Sequence, residues 1–220
     1  MAKQTTKAAS AQAVTIKAPR FQQAAFRIVG TAPYVGAKFS AKAKAMIRDK
    51  MLAGSRSQKG TARVARDFEA DYKGAMHISR EGWCGIPAPA FRASAISACR
   101  LVGFKMTLAK LTVFIEADGY DADDSTPLVK IHGEPRMHEA HVRNATGVVD
   151  LRVRPMWEEW YADVTVRWDA DQFSVTDVTN LLSRVGQQVG IGEGRPDSKQ
   201  SGGQGWGMFR VDLVEAADVE

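Results

Sequence analysis

The glycine-rich stretch at residues 189–210 (VGIGEGRPDSKQSGGQGWGMFR) constrains the fold more than any other part of this chain. Seven glycines fall within 18 residues of it, beside Arg195 and Lys199. Because glycine lacks a Cβ, such a backbone can turn sharply and come close to a ligand. We predict a long loop whose exposed N–H groups, including those of Gly192 and Gly194, contact a phosphate chain. A flexible surface loop that binds nothing explains the same composition.

Charge is distributed unevenly along the chain. The formal net charge is +5, yet residues 1–66 carry 14 Lys or Arg and one acid, Asp49, which gives +13. The other 154 residues carry 16 bases and 24 acids, concentrated at residues 116–124 and in the last nine residues. A basic third attracts a polyanion, and a chain with opposite charges in different regions can bind copies of itself head to tail. A solvated basic tail with no fixed partner is the alternative interpretation.

The 220 residues, 45% of them apolar, suffice for one domain with its own core. No apolar run approaches the roughly 20 residues that a membrane span needs, and the N-terminus lacks the apolar core of a secretion signal. We therefore expect no membrane partner and a cytoplasmic location. Cys84 and Cys99 are the only two cysteines, which is typical of a reduced protein without a disulfide framework.

Two helices are indicated by their ends. Ser174 precedes an apolar stripe with helical spacing and has Asp177 three residues later, a variant of the capping box. Pro89 suits a first helical turn, and Gly103 suits the position after the last one. The other elements follow from alternation and propensity. We predict strands at residues 21–30, 72–79, 111–117, 148–154, 160–168 and 206–214, helices at 41–52 and 61–70, and an extended hairpin formed by 128–132 and 138–143.

This element order predicts an α+β fold. Without one insertion the order is β-α-β-β-α-β, which is the plan of a ferredoxin-like (RRM-like) core. Residues 1–19 are small, polar and basic, so we predict a disordered basic tail there and a single domain at residues 20–220. Within that domain, residues 31–80 form a basic insertion after the first strand, and residues 118–147 form a hairpin and loop extension.

Two segments together resemble the repeat-associated RNA-binding (RAMP) superfamily of CRISPR effector complexes, and most closely its filament-forming backbone subunits. The run GIPAPAFRA at residues 85–93 is similar to the family's segment that enters the first core helix. Residues 190–209 are similar to its glycine-rich loop before the last core strand, and the early strand FRIVGTAPYVG also fits. A phage or mobile-element relative of that family fits the same residues.

We expect a non-catalytic protein that binds single-stranded RNA or DNA, with RNA favoured, and that assembles head to tail along the strand. The resemblance implies single-stranded RNA held along a palm of sheet and helix, with phosphates on basic loops and other subunits of a ribonucleoprotein complex as partners. Basic side chains of the insertion, of the first core helix near Pro89 and of the glycine-rich loop can bind phosphates without distinguishing bases. Trp206 can stack on an unpaired base. The candidate nucleic-acid-binding residues are Lys38, Lys42, Lys44, Arg48, Arg56, Lys59, Arg63, Arg92, Gly192, Gly194, Arg195, Lys199 and Trp206.

Other functions remain as alternatives. A phage-encoded structural protein, or an inhibitor that imitates a CRISPR backbone subunit, would use the same fold for protein contacts. A metal-dependent ribonuclease would need an acid such as Asp49 or Asp67, neither of which lies in a recognisable motif. His132, His138 and His141 lack the further ligands that a metal site needs, so we expect no metal and no catalytic residue. The glycine spacing matches neither the P-loop nor the dinucleotide fingerprint, and we expect no cofactor.

Overall fold

A computed structural model describes residues 16–39, 41–52, 66–143, 149–198 and 203–212. The fold is α+β, with antiparallel sheets and five α-helices among the described residues. The strands are β1 (Phe21–Gly30), β2 (Tyr34–Val35), β3 (Gly85–Pro87), β4 (Val113–Ile115), β5 (Gly119–Tyr120), β6 (Pro127–Lys130), β7 (Pro135–Arg143), β8 (Val149–Trp157), β9 (Tyr161–Asp169) and β10 (Phe209–Asp212). The helices are α1 (Ala41–Leu52), α2 (Phe68–Gly74), α3 (Ala88–Ala98), α4 (Met106–Thr112) and α5 (Val175–Arg184).

The main sheet has four strands in the order β10-β1-β9-β4, and every neighbouring pair is antiparallel. Phe26 lies opposite Val164 and Ile28 opposite Ala162, so these buried side chains share one face of the sheet. Helices α3 and α5 cover that face, because Phe91 and the apolar stripe of α5 belong to the same core cluster. The alternating strand patterns of the sequence therefore place one face of the sheet in the core.

Two smaller sheets flank the main one. Strands β2, β8 and β7 form the first, in which β7 and β8 make a hairpin with nine residue pairs, and β3, β6 and β5 form the second. Although β8 and β9 are consecutive, they belong to different sheets. Trp160 fixes this change of sheet, since its carbonyl accepts from Gly30 N–H at 2.8 Å and its indole donates to Ala32 O at 2.9 Å.

The helix ends agree with the sequence-based predictions. Ser174 and Asp177 form a complete capping box at the start of α5, with bonds in both directions. Helix α3 begins at Ala88 and continues as a 3₁₀ turn over Cys99–Val102, after which Gly103 adopts φ 70°. Helix α5 continues as a π-helical turn over Val185–Val189. The predicted strand at residues 21–30 and helix at residues 41–52 also match β1 and α1.

Two predicted elements, the strand at residues 72–79 and the hairpin between residues 128–132 and 138–143, were wrong, and the predicted strand at residues 111–117 forms only in part. Tyr72 lies in α2, which Asp67 caps by accepting from Ala70 N–H, so no strand occupies residues 72–79. Leu111 and Thr112 belong to α4 rather than to a strand, and β4 is shorter than predicted.

The predicted hairpin between residues 128–132 and 138–143 does not form. Strand β6 pairs with β3 and β5, while β7 pairs with β8. Of the hairpin that does form, β7 lies within the predicted extension at residues 118–147 and β8 follows it. Most of the predicted disordered tail, namely residues 1–15, lies outside the described residues.

Candidate functional site

The glycine-rich loop joins the π-helical turn to β10 and is bound closely to the rest of the fold. Ile191 N–H donates to Gly207 O at 3.1 Å, and Gly207 N–H donates to Pro33 O at 2.7 Å. Glu193 N–H donates to Val35 O at 3.0 Å. These bonds join the two ends of the loop to each other and attach them to Pro33, before β2, and to Val35 in β2. The described part of the loop is therefore an ordered element with a defined path.

The loop is also bound to α3. Ser94 Oγ donates to Gly190 O at 2.9 Å, and Arg100 donates to Asp197 Oδ1 at 2.8 Å. A hydrogen bond from the Ser97 hydroxyl, followed by the Arg100 charge, lowers the pKa of Asp197 despite partial burial. The two segments on which the family resemblance depends, at residues 85–93 and 190–209, thus belong to adjoining elements in three dimensions.

The loop glycines make close approaches within the protein itself. A Cβ on Gly207, where φ is 69°, would lie 1.8 Å from Ile191 O. A Cβ on Gly194 would lie 2.5 Å from the Trp206 ring, and one on Gly192 would lie 2.6 Å from the Tyr34 ring. Intramolecular packing therefore accounts for Gly192 and Gly194, which the sequence suggested as points of ligand approach.

Arg195 and Trp206 lie at the centre of the loop. Trp206 N–H points to Gly194 O at 3.3 Å, so the residue next to Arg195 is bound to the tryptophan. The Arg195 guanidinium donates to Gly192 O at 3.0 Å, and the ring of Trp206 meets His138 edge-on at 5.3 Å between centroids. Both side chains are partly exposed. Trp206 therefore presents an aromatic surface in the same loop as the Arg195 cation. The hydrogen bond described for that cation goes to a backbone carbonyl.

The β7–β8 hairpin provides the second half of the site. His138 is paired with Arg154 in the strand register, and alternation places Arg136 and Arg152 on the same face. Arg154 forms a 2.6 Å ion pair with the loop residue Glu193. Arg152 Nε lies 3.8 Å from a carboxylate oxygen of Asp150. We define the loop–hairpin surface as His138, Arg152, Arg154, Arg195 and Trp206.

Sequence analysis did not select the hairpin members of this surface. Arg152 and Arg154 alternate with apolar residues in VDLRVRP. This pattern predicts a strand with one polar face but does not predict which other element lies beside that face. His138 was considered only as a metal ligand. What places these residues at the loop is the pairing of β7 with β8, which joins positions 16 residues apart at His138 and Arg154.

Two predicted phosphate ligands in the insertion are occupied by carboxylates. Lys38 is buried, with its ammonium 2.7 Å from Asp121 and 2.6 Å from Asp123. Lys44 is bound to Asp124 at 2.7 Å, and this bond is the main reason that the pKa of Asp124 is lowered. These pairs also engage part of the acidic segment that was predicted to contact a neighbouring copy. The Lys38 side chain is only 5% exposed, so it offers a phosphate almost no surface.

A buried network surrounds Lys38. His77 Nδ1 lies 2.8 Å from Asp121, whose side chain is fully buried. Burial alone would raise the pKa of Asp121, but hydrogen bonds from Lys38, from Asp123 N–H and from His77 hold it below its ordinary value. Burial also opposes the charge of Lys38, and the two carboxylates raise its pKa above the usual value. The network connects the start of the insertion to the β5–β6 turn.

Arg92, a predicted phosphate ligand, is bound to the protein backbone. Its guanidinium donates to Val113 O at 3.1 Å and to Lys110 O, and it lies 5.1 Å from the centroid of the Phe114 ring. It therefore stabilises the end of α4. Arg48 is exposed on α1. The side chain of Lys42 and all of Arg56, Lys59, Arg63 and Lys199 lie outside the described residues.

The open face of the main sheet carries a second set of arginines and aromatic rings, which sequence analysis also did not select. Arg167 lies 4.7 Å from the centroids of both Phe21 and Phe114, and it pairs with Glu116 at 2.6 Å. On the same face His132 stacks on Tyr161 with centroids 4.3 Å apart, and Arg27 lies 5.2 Å from that ring. We refer to these residues as the open sheet face.

Among the described residues, no group of three His, Cys, Asp or Glu side chains is arranged to hold a metal ion. In the same part of the chain, every helix is too short or too polar to cross a membrane. Neither the protein-family models nor the curated proteins include a match to this sequence.

Proposed function

We propose that this protein is a non-catalytic, sequence-independent subunit that binds single-stranded nucleic acid, preferentially RNA, and assembles head to tail along the strand. The observation that carries the proposal is the loop–hairpin surface, where an ordered loop holds Trp206 and Arg195 beside the basic face of the hairpin. An exposed ring can stack on any base, and arginines bind phosphates without distinguishing sequence. The sequence-based expectation of a cytoplasmic protein without a membrane partner belongs to the same proposal.

The arrangement of the main sheet supports a ferredoxin-like core. Numbered along the chain, its four strands occur in the order 4-1-3-2, with α3 in the first crossover and α5 in the second. This agrees with a split β-α-β plan, in which each crossover leaves room for one intervening strand. The core, together with the adjoining segments at residues 85–93 and 190–209, supports the resemblance to RAMP backbone subunits, whether from a CRISPR complex or from a phage.

The position of the β7–β8 hairpin indicates where a single-stranded nucleic acid would lie on the protein. Its basic face and the loop meet at Trp206 and His138, so a nucleic acid lying there would contact both elements at once. Arg152 is weakly paired and Arg195 is bound to a carbonyl, which leaves both guanidinium groups with donors for phosphate oxygens. Arg154 differs, because Glu193 already neutralises it.

A protein-binding function is the second candidate, and a specific observation favours it. Several loop glycines approach the protein's own atoms, and Lys38 and Lys44 are paired with carboxylates. A phage assembly subunit, or an inhibitor that imitates a backbone subunit, would need the fold and the ordered loop without free cations. The two candidates differ in whether oligonucleotides bind.

Binding of fluorescent single-stranded oligonucleotides to the nuclease-treated full chain tests the proposal. We expect homopolymers of uridine and of deoxythymidine to bind with affinities that fall steeply between about 50 and 200 mM salt, and duplex DNA to bind more weakly. An affinity that does not change with salt, or no binding at low salt, would support the protein-binding candidate instead. Incubation of the RNA with magnesium should leave it intact, and cleavage products would show that the subunit is an enzyme.

A further inference from the structure

Glu193 brings a carboxylate to the loop–hairpin surface. Its Oε2 atom accepts from Arg154 Nε at 2.6 Å, and its side chain is 29% exposed. A carboxylate repels phosphates, so phosphate binding does not explain an acid in the same loop as Trp206. Asp197, the other acid in the described part of the loop, is bound to α3 instead.

The backbone of Glu193 is held in place on both sides. Its N–H donates to Val35 O at 3.0 Å. The two flanking residues are glycines in close packing, since a Cβ on Gly192 would lie 2.6 Å from an aromatic ring and one on Gly194 would lie 2.5 Å from Trp206. The carboxylate therefore has a defined position, one residue away from the contact between the loop and the Trp206 ring.

The ion pair engages one of the two carboxylate oxygens. In the part of the chain that the structure describes, Arg154 donates from Nε to Glu193 Oε2 and from Nη1 to the Val153 carbonyl, and Glu193 Oε1 has no hydrogen-bond partner. Because Arg154 compensates the charge of Glu193, the pair as a whole repels a phosphate chain little. A charged acceptor forms its strongest hydrogen bonds with N–H and O–H donors. In a nucleic-acid backbone, the donor that fits is the ribose 2′-hydroxyl, which DNA lacks.

We propose that Glu193 distinguishes RNA from DNA by accepting a hydrogen bond from a ribose 2′-hydroxyl at Oε1. Every ribonucleotide carries this donor whatever its base, so the contact selects the sugar without selecting a sequence. Arg154 is a positioning residue, because it holds the carboxylate and does not need to contact the ribose. The inference rests on the proposed function and specifies the origin of its preference for RNA.

Homopolymers of uridine, 2′-deoxyuridine and 2′-O-methyluridine, equal in length, test the contact. The three share one base, and the methyl ether keeps the 2′-oxygen but has no donor. Fluorescence anisotropy measures their affinities for the nuclease-treated full chain. We expect the wild-type protein to bind the uridine homopolymer about 10-fold more tightly than either of the others, which corresponds to one hydrogen bond.

Glu193→Ala should reduce this 10-fold ratio to about 1, because the acceptor is removed. Glu193→Gln should keep part of the ratio, since the amide oxygen still accepts a hydrogen bond. Glu158→Ala is the matched control. Glu158 forms an ion pair of the same 2.6 Å length with Arg136 of the hairpin, outside the loop, so its removal should leave the ratio at the wild-type value. Circular dichroism checks that the variants fold.

Four results would overturn the inference. They are equal wild-type affinities for the three homopolymers, a 2′-O-methyl homopolymer that binds as tightly as the uridine homopolymer, a ratio that Glu193→Ala leaves unchanged, and an equal weakening of all three homopolymers in that variant. The last result would show that Glu193 only holds the loop on the hairpin. If none of the three homopolymers binds at low salt, the proposed function fails as well, which distinguishes that outcome from the other four.

Discussion

Arginines and aromatic rings occur together on two surfaces of this molecule. The two surfaces differ in the partners that the guanidinium groups have within the protein. On the open sheet face, Arg167 lies between two phenylalanine rings and is paired with Glu116, and Arg27 is bound to Asp163 at 2.8 Å. On the loop–hairpin surface, the hydrogen bond described for Arg195 goes to the Gly192 carbonyl, and Trp206 meets His138 edge-on. The rings and charges of the sheet face already have partners within the protein.

The difference shows that composition alone does not identify a binding surface. A guanidinium has five donors, and a carboxylate that accepts two of them also cancels its charge. A ring with a guanidinium or an imidazole against its face has that face occupied. The nucleic-acid binding that we propose is therefore expected at the loop–hairpin surface rather than at the open sheet face.

The largest effect is expected from Gly207→Ala. A Cβ there would lie 1.8 Å from a backbone oxygen at a φ of 69°, so we expect the free energy of unfolding to fall by about 3 kcal/mol or more, with loss of oligonucleotide binding. Gly205→Ala is the matched control, since its φ is 75° but no atom lies within 4 Å of the added Cβ. It should cost about 1 kcal/mol. Urea denaturation measures both, and equal costs would contradict the packing account.

The next effect is on stacking. Trp206→Ala should weaken binding of a single-stranded oligonucleotide by about 1–3 kcal/mol and change stability little. Phe114→Ala should leave binding unchanged and lower the free energy of unfolding by about 1 kcal/mol, because Phe114 packs against Arg92 and Arg167. Fluorescence anisotropy and denaturation distinguish the two results. Weaker binding in the Phe114 variant alone would move the site to the open sheet face.

A smaller effect is expected on the salt dependence. Arg195→Ala should reduce the slope of log affinity against log salt by about 0.7, the contribution of one phosphate contact on a single strand. Arg167→Ala should leave the slope unchanged, because Glu116 already compensates that charge. The slopes come from titrations at several salt concentrations. If both variants reduce the slope equally, Arg167 contacts a phosphate in spite of its ion pair with Glu116.

The smallest effect concerns acid stability of the open sheet face. A hydrogen bond from Arg27 lowers the pKa of Asp163. The pKa of Asp163 is therefore lower in the folded than in the unfolded protein. The pair stabilises the protein at pH values above the unfolded-state pKa of about 3.9. This stabilisation is lost as the pH falls through the folded-state pKa. Because the Asp163 side chain is 43% exposed, solvent screens the ion pair, and we expect it to contribute only a few tenths of a kcal/mol to the free energy of unfolding.

Asp163→Asn checks that effect. Denaturation at about pH 6 should show the variant slightly less stable than the wild type, and the difference should vanish once the pH falls below the folded-state pKa of Asp163, where the wild-type carboxylate is also protonated. A difference that persists at the lowest pH would mean that the substitution acts through packing rather than charge.

Local signals in the sequence predicted the elements that depend on neighbouring residues. The capping box of Ser174 and Asp177 and the terminating Gly103 act within a few positions, and both helix ends were correct. Pairings between distant segments could not be obtained in this way. Nothing near β6 indicates that Val129 pairs with Ile86 rather than with the following strand.

The site was predicted in part for the same reason. Arg195 and Trp206 were selected because the glycines around them are adjacent in sequence. The hairpin arginines were missed because tertiary pairing alone brings them to the loop. Lys38 was selected by charge, which the sequence shows. Its burial against Asp121, 83 positions later, depends on the fold.

The buried bond between Lys38 and Asp121 also determines where α1 begins. Helix α1 starts only three positions after Lys38, and its 12 residues span about 18 Å. An arm fixed so near its base has a defined reach, unlike one on a flexible tether. The buried ion pair therefore limits how far α1, and the apolar side chains that it exposes, can move relative to the β5–β6 turn.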